Sequence, residues 1–163
     1  VEGMITHQDL GSIPVVEDFL VLACAPSHPI ASRKTITFRE LNNQPFALRE
    51  PGSGTRELFA RTLQSSGIHI KIACEANTPQ AIRNMVMYND CLTVISIRLI
   101  ENEVRAGNIH VIRNSTSEWN RKFFLVTHKN KTFTPAMQRL KELSMQYRRP
   151  KLPEDIPSGI LLP

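Results

Sequence analysis

This chain predicts an α/β fold with a largely parallel sheet, and three observations carry that expectation. The run Phe19-Leu20-Val21-Leu22-Ala23-Cys24-Ala25 is continuously apolar, as in a strand buried on both faces. Helix-start signals recur at Ser53 to Thr55, at Thr78-Pro79 and at Thr134-Pro135. Short apolar stretches of strand character alternate with these helices, the order of an α/β sheet.

Each element follows from local chemistry. The strand at 19–25 ends at Pro26, and Ser27-His28-Pro29 forms a loop. Thr37-Phe38-Arg39-Glu40 is a capping box that starts a short helix through Leu41. Phe46-Ala47-Leu48 is a short strand. It leads into Arg49-Glu50-Pro51-Gly52-Ser53-Gly54-Thr55-Arg56, a turn that opens directly into a helix. Leu58, Phe59 and Leu63 give that helix its apolar stripe, and Gly67 ends it. Residues 68–76 read as a strand with Ile68, Ile70 and Ile72 alternating. Thr78-Pro79 starts a helix that buries Ile82, Met85 and Val86. A strand at 92–96, a helix at 99–106 closed by Gly107 and a strand at 109–112 follow. Residues 122–127 form another strand, well buried by composition. The last helix, from Thr134-Pro135 to about Tyr147, turns Met137, Leu140 and Leu143 inward. The proline-rich stretch 149–163 is expected as an extended or disordered tail.

The 163 residues suit one ordinary domain or two small lobes, and 41 % hydrophobic content suffices for a packed core. The net charge of +5 is scattered rather than clustered, apart from Arg148-Arg149-Lys151, so it reads as solvated surface. The three cysteines, Cys24, Cys74 and Cys91, lack metal-ligand spacing and sit in apolar runs. They point to buried thiols in a reduced, cytoplasmic protein. No apolar run approaches the roughly 18 residues of a membrane span. Val1 opens on residues that read as the interior of a fold, so a fragment of a longer polypeptide is expected.

The glycine turn is the leading candidate site. A helix start carries partial positive charge and unpaired N–H donors, and Ser53 and Thr55 add hydroxyls there. Ser53, Gly54 and Thr55 would hold a carboxylate or an inorganic anion. Arg49 and Arg56 either add charge or are structural. Glu50 either orients a ligand hydroxyl or amine, or pairs with Arg56. A capped surface helix without ligand explains the same residues. Catalytic readings find less support. A phosphate loop needs Gly-Lys-Ser/Thr, and here Arg56 follows the threonine. His7, His28, His69, His110 and His128 are dispersed. Cys91 has apolar neighbours, and Trp119 stands alone, so no aromatic nucleic-acid platform is expected.

Four stretches together resemble the effector-binding domain of LysR-type transcriptional regulators. They are Asp18 to Leu22 with Pro26 to Ala31, Phe46 to Arg56, Asn77 to Ile82 with Val86, and Ser96 to Gly107 with Ile109 to Ile112. The resemblance covers roughly residues 1–148. Asn89-Asp90-Cys91 stands where the family has a glycine-rich turn. The family's front strand-helix-strand-helix portion and its winged helix-turn-helix domain have no counterpart here.

The resemblance implies a type II periplasmic-binding-protein-like fold, two lobes with mixed sheets, the first lobe incomplete. Residues 1–24 and 122–148 would form the partial first lobe and 25–121 the second. Apolar surface of the first lobe should then be exposed or covered by a partner. A small organic acid or inorganic anion would bind between the lobes and shift a conformational equilibrium. Asn77 and Thr78 either face that cleft or simply cap their helix. Ser96 would lie near the hinge or be a satisfied strand-end hydroxyl, and Glu2 and Gly3 would belong to the first-lobe wall. The resemblance further implies a homodimer or homotetramer, DNA contact only through the absent N-terminal domain, no enzyme activity and no cofactor or metal. A solute-binding protein for transport shares the fold and is the first rival. A small enzyme acting at Ser53 to Thr55 is the second.

Overall fold

The computed structural model describes residues 1–2, 7–147 and 158–163. Its elements are β1 (Leu10–Cys24), β2 (Thr35–Thr37), β3 (Pro45–Arg49), α1 (Gly54–Ser66), β4 (Lys71–Ala76), α2 (Pro79–Tyr88), β5 (Thr93–Ser96), α3 (Glu101–Arg105), β6 (His110–Asn114), β7 (Asn120–His128), α4 (Pro135–Gln146) and β8 (Ser158–Leu162). Short 3-10 turns occupy Pro29–Ser32, Phe38–Leu41 and Ile97–Leu99. The capping box is present: Glu40 Oε2 accepts from the Thr37 backbone N–H at 2.9 Å.

The chain divides into two compact units, at Asp18–Phe19 and again at Trp119–Asn120. The boundaries expected at 24–25 and 121–122 lie a few residues further along the chain. The shift has a local cause. Leu20 to Ala23 pair antiparallel with β5, and Val21 to Cys24 with β6, so this half of β1 is core sheet of one unit. The Leu20 N–H also donates to the Trp119 carbonyl at 3.0 Å. β1 itself starts at Leu10, well before the apolar run that announced it.

The unit built on residues 19–119 carries the main core. Its sheet runs β2-β8-β6-β1-β5. β3 and β4 pair in parallel, and a parallel bridge from Phe46 to Leu92 brings β3 beside β5. The sheet is mixed, not largely parallel, because β1 is antiparallel to both of its neighbours β5 and β6. Phe46, Phe59 and Trp119 are almost fully buried and form an aromatic chain. Phe59 and Trp119 meet edge to face at 5.8 Å, and Phe38 meets Trp119 at 6.1 Å. The Trp119 indole N–H donates to Thr62 Oγ1 at 3.0 Å, so its polar atom is satisfied.

β4 begins at Lys71, not at residue 68. Gly67 adopts the left-handed region at φ 65°, and the Ile68 N–H turns back to the Leu63 carbonyl. The His69 N–H then donates to Asn42 Oδ1. Ile68 and Ile70 pack on the core from this loop, whereas Ile72 is half exposed.

The other unit contains the first half of β1, β7 and α4. Val1 and Phe124 exchange hydrogen bonds at 2.8 Å in both directions. β7 is half-buried, less than its composition suggested. α4 leaves Leu140 60 % and Leu143 50 % exposed, so the face expected to turn inward is open among the described residues. Residues 149–157 of the expected tail, like Gly3, lie outside the described residues. Residues 158–162 are extended as expected but are paired within the sheet.

Burial sets the pH limits of the fold. Burial lowers the pKa of His28 and His110 from 6.5, so protonation disfavours the folded state. Burial raises Cys24 to about 12 and Cys91 to about 11 from 9.0, so deprotonation disfavours it too. Stability is therefore lost as pH falls below the unfolded histidine value, and again as pH rises past the unfolded thiol value. A urea midpoint measured against pH should be flat between about 7 and 8.5 and fall on both sides.

Candidate functional site

The candidate site grows out of three parallel strands. In β3 and β4, Arg49 is the register partner of Ala76. In β3 and β5, Phe46 faces Leu92, the Ala47 N–H donates to the Leu92 carbonyl, and Thr93 Oγ1 donates to the Ala47 carbonyl at 2.6 Å. Counting on from those pairs, Glu50, Asn77 and Ser96 fall at one level, at the C-terminal edge of the strands. α1, α2 and the 3-10 turn at Ile97–Leu99 all start from this edge. In open α/β sheets this edge gathers ligands, because backbone N–H groups and helix ends converge there.

The three starts differ in how they are capped. Thr78 accepts from the Ala81 N–H at 3.2 Å, and Ser96 accepts from the Arg98 N–H at 3.2 Å. Ser53 sits at the cap of α1 with extended backbone but makes no capping bond from its side chain. Its carbonyl accepts from the Glu57 N–H at 2.9 Å. The Ser53 side chain therefore does not cap the first N–H groups of α1. Gly52, at φ 88°, allows the turn. Ser53 and Thr55 are half-buried and Gly54 is exposed.

The charged neighbours are paired. Arg49 grips Glu50 with two bonds of 2.7 and 2.8 Å. Hydrogen bonds from Arg49 hold the Glu50 carboxyl below its ordinary value, so it is ionised at neutral pH. Arg56 donates to the Arg49 carbonyl at 2.9 Å and to Glu75 at 2.6 Å. Each arginine thus faces a carboxylate. What remains to attract an anion is the field and the N–H groups of the α1 terminus. Glu75 escaped the sequence reading. Its signal is its parallel register with Leu48, which no local pattern reveals.

Asn77 and Thr78 lie at the same edge and are exposed. Ser96 is buried at 3 %. Glu2 belongs to the other unit, where its carboxylate meets Arg121 at 2.5 Å. Arg121 also bonds Asp18 at 2.8 Å. Among the described residues no group of His, Cys, Asp and Glu could hold a metal ion. No helix among them is long and apolar enough to cross a membrane.

Known proteins resemble this chain in sequence and in fold. The chain is 31 % identical over 139 residues to the HTH-type transcriptional regulator YeiE of Escherichia coli (strain K12), covering 85 % of this chain and 47 % of that protein. It is 29 % identical over 122 residues to the HTH-type transcriptional regulator CysL of Bacillus subtilis (strain 168), covering 75 % of this chain and 41 % of the relative. The chain spans about half the length of the curated relatives it matches. In structure it resembles the CcmR regulatory domain of Synechocystis PCC6803, solved in complex with 2-PG. The TM-score is 0.81 at 21 % identity, covering 89 % of this chain and 70 % of that one. The effector-binding domain of QuiR in complex with shikimate gives a TM-score of 0.75 at 20 % identity, covering 89 % and 68 %. These likenesses give the chain the α/β fold of LysR effector-binding domains. The model of the LysR substrate binding domain matches residues 1–148, and the protein belongs to that family.

Proposed function

We propose that this chain is the effector-sensing part of a LysR-type transcriptional regulator. It holds a small organic acid or inorganic anion at the N-terminus of α1, with Ser53, Gly54 and Thr55 donating to it. The observation that carries the reading is the convergence of three helix starts on one sheet edge, the α1 start lacking its side-chain cap. Arg49 and Arg56, each paired with a carboxylate, shape the turn rather than neutralise the ligand. Glu50 and Asn77 stand level beside the turn and accept from or donate to the ligand's hydroxyls. Thr78 and Ser96 hold the neighbouring starts in place, and Glu2 lines the first-lobe wall. The protein works in the cytoplasm without turnover and without a cofactor. It acts as a homodimer or homotetramer, and DNA is contacted by a separate domain.

The test is thermal melting with sulfate, phosphate, 2-PG and shikimate, the last two being the ligands of the structural neighbours. A ligand at a hundred times its Kd adds ~2.7 kcal/mol and raises Tm by roughly 2–8 °C. Ser53→Ala or Thr55→Ala removes a hydrogen bond to a charged group and should weaken binding by about 10- to 100-fold. A shift that survives both replacements would place the ligand elsewhere. Consumption of an added acid would turn the reading to an enzyme.

A further inference from the structure

Among the described residues, β8 is the one element that lies wholly beyond the family match, which ends at residue 148. It occupies a slot between β2 and β6. On one side Val111 to Asn114 face Ser158 to Leu161, and on the other Thr35 to Thr37 face Ile160 to Leu162, both in parallel. The Ser115 N–H donates to the Leu161 carbonyl and the Ile160 N–H to the Lys34 carbonyl, each at 2.9 Å.

The slot selects what enters it. The strand alternates, with Gly159 and Leu161 buried and Ser158, Ile160 and Leu162 exposed. Leu161 is fully buried and joins the cluster that contains Phe38, Ile112 and Trp119. At Gly159 a Cβ would stand 3.0 Å from the Arg33 carbonyl oxygen and 3.3 Å from Ile112 Cγ1. Close approach of the backbone, not its dihedral angles, favours glycine there, since a side chain would crowd Arg33 and Ile112. The pattern is therefore a small residue, any residue and a large apolar one. Among the described residues β2 and β6 touch no common strand but this one, so without it β6 would be a bare edge beside the core.

The chain leaves α4 in one unit and supplies β8 to the other. Eleven residues, 147–157, join them in the sequence, and three of these are proline. β8 thus gives the two units a third covalent connection, after those at 18–19 and 119–120.

We propose that the slot between β2 and β6 is a strand-acceptor site and that Ser158–Leu162 is its intramolecular ligand, a latch that fastens the end of α4 to the other unit's sheet. It binds by strand addition: main-chain bonds give affinity, and the Gly159 and Leu161 positions give specificity. Covalent attachment makes this binding intramolecular, so a free peptide competes only once the tail is unseated. The proposal is independent of the effector site.

Hydrogen exchange on the full chain tests it without any effector. In the wild type, the Ser115 and Ile160 amides should open together, at lower denaturant than the amides of Leu22 and Ala23 in β1. Leu161→Asp should speed exchange at Ser115 by roughly tenfold or more while β1 stays protected. Ile160→Lys, on the exposed face, should change neither. A synthetic peptide of residues 158–163 at millimolar concentration should restore protection to Leu161→Asp. Opening of Ser115 only through global unfolding in the wild type would overturn the latch, whether or not Leu161→Asp folds. So would a folded Leu161→Asp chain that exchanges like wild type or ignores the peptide.

Discussion

Arg121→Leu is expected to destabilise the unit that contains α4 by about 3–5 kcal/mol, because it removes the cation from a buried carboxylate. The Asp18 side chain has no exposed surface and that of Arg121 only 9 %. The guanidinium bonds Asp18 with one edge and Glu2 with another. It also lies 5.3 Å from the Phe123 ring, which adds a cation–π contact. Without it, Asp18 keeps its desolvation penalty and loses its counter-charge. The double replacement Asp18→Leu/Arg121→Leu should recover much of the loss, since a buried pair exchanged for apolar groups is often near neutral. Urea denaturation of the two variants decides. A single-variant loss below about 1 kcal/mol would mean that the pair behaves like a surface ion pair.

Trp119→Ala should cost about 3–5 kcal/mol in the other unit, the range for emptying an aromatic site in a packed core. Trp119 is 1 % exposed and touches Phe38 and Phe59 edge to face. Its loss would strip both rings of a neighbour and leave Thr62 Oγ1 without the indole donor. Trp119→Phe keeps most of the packing and loses the hydrogen bond, so it should cost less than half as much. Circular dichroism during denaturation checks both. Equal costs for the two variants would assign the stability to the hydrogen bond instead of the ring.

The turns and helix starts around the candidate site were legible because their signals are local. The Pro-Gly turn, the left-handed Gly67 and the Thr78-Pro79 start each depend on neighbours within a few residues, and each stands where the sequence put it. What the residues could not announce is pairing across distance. β1 begins at Leu10, yet its first half is only partly buried and shows no apolar run. The tail is rich in proline and resembles disorder, but Leu161 finds its place through partners more than 40 residues away in sequence. Trp119 looked solitary along the chain and proves to be the centre of an aromatic cluster assembled from β3, α1 and a 3-10 turn. Leu140 and Leu143 show the converse error, since helical periodicity marks an apolar face without saying what covers it.

The single tryptophan also makes the protein its own optical probe. Its carbonyl binds the Leu20 N–H, so the indole is anchored where both connecting strands enter the larger unit. Its emission, unlike an attached dye's, originates at those crossings. Any rearrangement that strains them should alter its colour or intensity, giving effector screening a label-free readout within the native chain.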